Sequence, residues 1–305
     1  MKNVISLCWA CVMVASPSPS SMSDPTINRF TLFMPILPWN AAFVHNIWPA
    51  MRRPAVVLAL LPMLLMVSTA IATVASAESP WFRQVAPGID HVKFQVQTAD
   101  PEPFSGHAFK IHLDVTELRL IPAGGAASRR TVEEIVASYA AVVAINASFF
   151  DHEGRPMGLA VDKGRLIGSS KRQSWGALVV DDKKARIVLG ADVDAPLAYR
   201  LVVQGIPRLV VAGTVQQLKP QLAERTAVCA EGNVVVFVVS TKAETTAFAR
   251  FLADPPDKGG LGCRDALNLD GGPSTQLVVK LPGLTLSLPR GWGVPNALVV
   301  APGRN

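Results

Sequence analysis

The stretch Thr226–Val239, TAVCAEGNVVVFVV, holds two apolar runs on either side of Glu231-Gly232-Asn233. Gly and Asn accept the left-handed backbone that a tight turn needs, so the stretch predicts a β-hairpin. Its second arm, Val234–Val239, is apolar at consecutive positions rather than alternate ones. That pattern belongs to a strand covered on both faces, and so to the middle of a sheet.

Further hairpins lie on either side of this one. Leu159–Val161 and Arg165–Ile167 flank Asp162-Lys163-Gly164, and Ala177–Val180 and Arg186–Leu189 flank Asp181-Asp182-Lys183-Lys184. Phe109–Val115 alternates, with Phe109, Ile111, Leu113 and Val115 facing a core and Lys110, His112 and Asp114 facing out. Two helices interrupt the strands. Thr131-Val132-Glu133-Glu134 reads as a capping box opening a helix to about Ala140, which feeds a buried strand at Ala141–Ile145. Thr241-Lys242-Ala243-Glu244 reads as a second box, ahead of a helix with Phe248, Phe251 and Leu252 on one face that stops before Pro255-Pro256. Together these predict an α+β class: a mixed, largely antiparallel β-sheet core with two main helices in a single domain over 78–305.

Half of the 305 residues are hydrophobic and 17% are charged. Much of the apolar excess sits in Ala55–Val74, preceded by Met51-Arg52-Arg53 and followed by Ala75-Ser76-Ala77-Glu78. A basic start, an apolar middle and a small-x-small stop predict a signal peptide over 51–77, cleaved after Ala77, rather than a retained membrane span. Residues 1–50 show no periodicity and read as an extension ahead of a start at Met51. Removing Lys2, Arg29, Arg52, Arg53 and Asp24 from the 29 basic and 23 acidic residues leaves a net charge of +3 on 78–305. No basic cluster there suits nucleic acid. The exported part keeps two cysteines, Cys229 and Cys263, expected to form a disulfide in a periplasmic or secreted protein.

Three Gly-, Asn- and Asp-rich loops follow apolar strands. They begin at Asn146, with Asp151 and His152 further on; at Arg225; and at Leu267-Asn268-Leu269-Asp270-Gly271-Gly272-Pro273-Ser274-Thr275. Asp270 stands at a strand end, and Gly271-Gly272 lets the backbone approach a ligand closely. Free N–H groups there would form an anion-binding nest, with Ser274 and Thr275 adding hydroxyls. A carboxylate beside such a nest suits cleavage of a glycosyl phosphate. The plainer reading is a strand-to-turn signal. Arg225 could clamp a phosphate with its planar fork, or pair on the surface with Glu224 or Glu231. Asn146 could orient a sugar or Asp151, or satisfy its own turn. His91, His107, His112 and His152 show no metal-ligand spacing, so neither cofactor nor metal is expected, although a divalent ion remains compatible. Serine-hydrolase, Rossmann and P-loop signatures do not occur.

The stretches AINASFFDHEGRPMGLAVDKGRL (144–166), SWGALVVDD (174–182), ERTAVCAEGNVVVFVVS (224–240), CRDALNLDGGPSTQL (263–277) and VPNALVV (294–300) resemble the phosphodiester glycosidase family across Phe104–Pro302. The resemblance implies an exported hydrolase acting on sugar-1-phosphate diesters of polysaccharide or envelope glycans. It picks out Asn146, Arg225, Asp270, Gly271, Gly272, Ser274 and Thr275. The catalytic candidates are then Asp270, Asp151 and Arg225, and the substrate-binding ones Asn146, Asn268, Gly271, Gly272, Ser274 and Thr275. The family's usual small residues after the double glycine give way to Pro273, and the glycine after the asparagine gives way to Ala147-Ser148. A glycosyl-phosphate transferase of exopolysaccharide assembly and a non-catalytic glycan-binding module are the alternatives.

Overall fold

The Glu231-Gly232-Asn233 hairpin forms, with Gly232 in the left-handed region at φ 60°, and its arms pair antiparallel from Glu231↔Val234 out to Leu222↔Glu244. The computed structural model describes residues 81–98, 102–288 and 291–303. The expected signal peptide at 51–77, the extension at 1–50 and the Ala77 cleavage point lie outside the described residues.

Three antiparallel sheets make up the fold. The eight-stranded sheet runs β1 (Arg83–Ala86), β2 (Ile89–Val96), β3 (Phe104–His112), β14 (Val234–Glu244), β13 (Leu222–Glu231), β15 (Ala266–Asn268), β11 (Arg208–Val211) and β12 (Thr214–Val215). One five-stranded sheet runs β7 (Arg165–Ser169), β6 (Leu159–Asp162), β10 (Leu201–Gly205), β8 (Gly176–Asp181) and β9 (Lys184–Leu189). The other runs β17 (Leu284–Leu288), β16 (Leu277–Leu281), β5 (Val143–Asn146), β18 (Asn296–Pro302) and β4 (Thr116–Pro122). Among the described residues every pairing of named strands is antiparallel, so the fold is mostly β and the expected mixed sheet is not found.

The largest apolar core joins all three sheets: Phe109, Ile111 and Phe237 from the first, Leu178 and Leu201 from the second, Ile145 and Leu298 from the third. The opposite face of the large sheet is covered by a helix, α2 (Thr245–Ala253). There Phe94 and Phe104 meet Phe248 and Phe251, with ring centroids 4.4 to 6.4 Å apart. Val234–Val239 is therefore central and covered on both sides, as its unbroken apolar run requires.

Four local expectations change. Val115 is 52% exposed because the strand ends at His112 and Val115 N–H turns back to His112 O. The first helix, α1 (Val132–Val136), has the Thr131–Glu134 capping box but is shorter than expected. The strand expected from Ala141 begins at Val143. Thr241–Glu244 does not cap the second helix. It stays in β14, where Thr241 Oγ1 accepts from Ser105 N–H, and Glu244 is the N-cap, its Oε2 accepting from Thr246 and Ala247 N–H at 2.8 and 2.9 Å.

The disulfide joins Cys229 of β13 to Cys263, 34 residues on. Among the described residues no helix is long and apolar enough to cross a membrane.

Candidate active site

Asn146 ends β5 in one sheet and Thr226 lies in β13 of another, yet their side chains meet. Thr226 Oγ1 lies 2.8 Å from Asn146 Oδ1 and 3.3 Å from Thr275 Oγ1. Asn146 Nδ2 donates to the Asp270 carbonyl at 2.6 Å, while its Oδ1 also accepts from Gln276 N–H at 3.0 Å. Asp270 N–H reaches Ala147 O, and Leu269 N–H reaches Thr226 O. Asn146, Thr226, Thr275 and Gln276 are all buried. A buried amide has four hydrogen-bonding valences to satisfy, and Asn146 spends its own across three chain segments. That knot fixes where Asp270 stands.

The carboxyl of Asp270 is pushed up to about 6, chiefly because burial disfavours its charged form; hydrogen bonds from Ser274 and Gly271 N–H oppose this. It is thus an acid able to hold its proton near pH 6, which is what proton donation to a leaving group requires. Gly271 is needed for space: a Cβ there would lie 2.7 Å from Glu224 O. Gly272, at φ 56°, is needed for conformation.

The expected anion nest is mostly used up. Pro273 has no N–H, Gly271 N–H binds Asp270 Oδ1, Ser274 N–H binds Gly271 O, and Thr275 N–H binds Gly272 O. Only the Gly272 amide is left without a partner within this loop. Ser274 serves Asp270 rather than open space.

Three other sequence candidates have different places from those expected. Arg225 neighbours Thr226, so its side chain leaves the opposite face of the strand. There its Nε donates to Ala243 O, Nη1 lies 3.5 Å from Gln221 Oε1, and Nη2 donates to Gln221 O and to Thr245 Oγ1. Its fork ties β13 to the start of α2 and does not face the Asp270 loop, and no surface pair with Glu224 or Glu231 forms. Asp151 grips its own turn: Oδ1 accepts from Glu153 and Arg155 N–H, and Oδ2 takes Arg155 Nε at 2.9 Å. Hydrogen bonding from Arg155 holds its carboxyl below the usual range. No hydrogen bond or ion pair links Asp151 to the Asp270 loop among the described residues, and His152 beside it is solvent-exposed against Glu153. Asn268 is buried, its Nδ2 spent on the Ile206 and Leu269 carbonyls.

A cavity of about 570 Å³ opens beside the knot, with Thr275, Glu224, Ser240, Thr241, Lys242 and His107 among its lining. A β-bulge shapes its rim. Ala223 pairs with Ala243 and Arg225 with Ser240, so Thr241 and Lys242 stand opposite the single Glu224. Bulges re-aim side chains in this way beside functional sites. Among the described residues no group of three or more His, Cys, Asp or Glu is placed to hold a metal ion.

The model of the phosphodiester glycosidase family matches residues 139–301, more than half of the 305 residues and all of the knot. The chain belongs to that family. No curated protein matches its sequence. This phosphodiester glycosidase family member is similar in fold to the catalytic domain of zebrafish N-acetylglucosamine-1-phosphodiester alpha-N-acetylglucosaminidase, auto-inhibited by pro-peptide. The TM-score is 0.56 at 18% identity, over 74% of this chain and 85% of the zebrafish one. It is also similar to a hypothetical protein from Synechocystis, at TM-score 0.51 and 18% identity, over 72% of this chain and 63% of that one.

Within this family member, Thr226 and Gln276 escaped the sequence reading because a buried Thr or Gln looks like any strand residue. Glu224 escaped because the bulge, invisible in sequence, decides which way it faces. Asn296 was quoted only within a motif; it is buried and holds Ser148 by Nδ2 to Oγ and Oδ1 from N–H, both at 3.0 Å.

Proposed function

We propose that the chain hydrolyses sugar-1-phosphate diesters, with Asp270 as the proton donor and Glu224 as the second carboxyl group. The observation that carries the reading is the carboxyl of Asp270, held near 6 and fastened through Asn146 in a chain of this family. In this scheme Glu224 takes a proton from water, the water oxygen bonds to the anomeric carbon, and the bond from that carbon to the bridging oxygen breaks. The electron pair leaves with the phosphate oxygen, which receives the proton of Asp270. A cavity of about 570 Å³ suits a ligand of this size. The Cys229–Cys263 disulfide and the leader-like segment at 51–77 support action outside the cytoplasm, on polysaccharide or envelope glycans.

The test is a screen of the protein against sugar-1-phosphate diesters and UDP-sugars, with and without chelator and with added acceptor alcohols. Release of free sugar and phosphate monoester is expected. Transfer to the acceptor in place of water would replace the hydrolase by a transferase, and saturable binding without turnover would make the domain a glycan-binding module.

A further inference from the structure

The cavity beside the knot has a cationic end that the glycosidase reading leaves unused. Lys93 of β2 stands directly opposite His107 of β3, His107 opposite Val239 of β14, and Val239 opposite Thr226 of β13. Directly opposed residues share a face, so the four form one row across the sheet. With strands about 4.8 Å apart, His107 stands roughly 10 Å from Thr226 and hence from the knot. Lys93, His107, Ser105 and Lys242 line the same cavity as Thr275. Lys242 is there because the bulge opposite Glu224 turns it to the rim.

His107 is held ready rather than loosely exposed. Its Nδ1 shares a 2.9 Å hydrogen bond with His91 Nε2, the two rings stack at 5.2 Å, and His91 stacks on Phe109 at 4.5 Å. Burial keeps His91 neutral, with its pKa lowered to about 4, and burial together with Lys93 lowers that of His107. One ring nitrogen of His107 is therefore spent inside the protein, and Nε2 is left for the cavity. Two paired imidazoles on the core face of a sheet cost burial of polar atoms, which packing alone does not require. The carboxylates of the cavity, Glu102 and Glu224, belong with hydroxyls or with the reacting centre.

We propose that Lys93, His107 and Lys242 form an anion subsite for the phosphate of a phosphodiester, with a sugar ring lying between this subsite and the Asp270 knot. Lys93 and Lys242 supply charge, and His107 donates a directed hydrogen bond from Nε2. The assignment rests on the proposed glycosidase reading for the identity of the anion, and it gives the phosphate the counter-charge that Arg225, turned to the other face, does not provide.

The test is titration of the full chain with inorganic phosphate at fixed ionic strength, followed by calorimetry and by phosphorus NMR line width. Saturable binding is expected in the parent protein. Lys93→Ala and His107→Gln are each expected to weaken it at least tenfold, and Lys93→Ala/Lys242→Ala to abolish it. Lys219→Ala, exposed and outside the cavity, and Asp270→Asn are expected to bind as the parent does. The lysines are exposed, so their variants remain informative if His107→Gln unfolds. Absence of phosphate binding, unchanged affinity in Lys93→Ala/Lys242→Ala, or equal weakening in Lys219→Ala overturns the subsite. Turnover that survives Asp270→Asn while Lys93→Ala loses phosphate sinks the glycosidase reading and spares the subsite.

Discussion

The side-chain amide of Asn146 donates to the backbone carbonyl of Asp270 at 2.6 Å, so the last residue of β5 in one sheet positions the turn that follows β15 in another. The Asn146 carbonyl oxygen meanwhile accepts from Thr226 and Gln276. One buried side chain thus sets both the fold's inter-sheet joint and the place of its most perturbed carboxyl.

Asn146→Ala is expected to cost about 3 kcal/mol, since it leaves two buried donors and the Asp270 carbonyl without their partner. Thermal unfolding measures the cost. A loss of turnover larger than the loss of folded protein would reflect displacement of Asp270; unchanged stability would contradict the knot.

Asp270 gives a signed pH dependence. Its carboxyl holds a proton up to about 6 in the folded chain, against an ordinary 3.8. Between those values the folded state binds more protons, so stability falls as pH rises through this window. Below it the penalty vanishes, and above it the penalty is complete, on the order of 2–3 kcal/mol. Asp270→Asn is expected to raise the unfolding midpoint at pH 7.5 and leave it nearly unchanged at pH 4. Equal shifts at both pH values would contradict the raised pKa.

Arg225→Met is expected to lower stability by about 2–4 kcal/mol, because the Gln221 and Ala243 carbonyls and the Thr245 hydroxyl lose a charged donor. Its effect on KM should be equal for a phosphodiester and a neutral glycoside. A KM rise confined to the phosphodiester would return Arg225 to phosphate binding.

Reduction of Cys229–Cys263 removes a cross-link closing a loop of 34 residues, worth about 3–4 kcal/mol by chain entropy. The midpoint in denaturant with and without reductant measures it, and coincident curves would show that the bridge contributes nothing.

What could be read in advance follows from range along the chain. Hairpins such as Val234–Val239 with its partner were legible because period and turn residues are local. The Thr131–Glu134 box was legible for the same reason, whereas the Thr241–Glu244 box was not, because pairing with Leu222 and Ala223 holds that segment in β14. The importance of Asn146 and Asp270 could be suspected from strand-end polarity. The face on which Arg225 emerges, the turn that consumes Asp151, the bulge opposite Glu224 and the His91–His107 pair depend on non-local register. One residue of slip would reverse each of them.

The most direct measurement is kcat/KM of the parent and of Asp270→Asn on a sugar-1-phosphate diester from pH 4.5 to 8.5, with unfolding midpoints taken alongside. The expected result is a parent profile that declines above about pH 6 and a loss of at least a hundredfold in Asp270→Asn, with the variant as stable as the parent or more so. Turnover by Asp270→Asn within a few-fold of the parent, or a parent profile flat through pH 6, would contradict Asp270 as the proton donor.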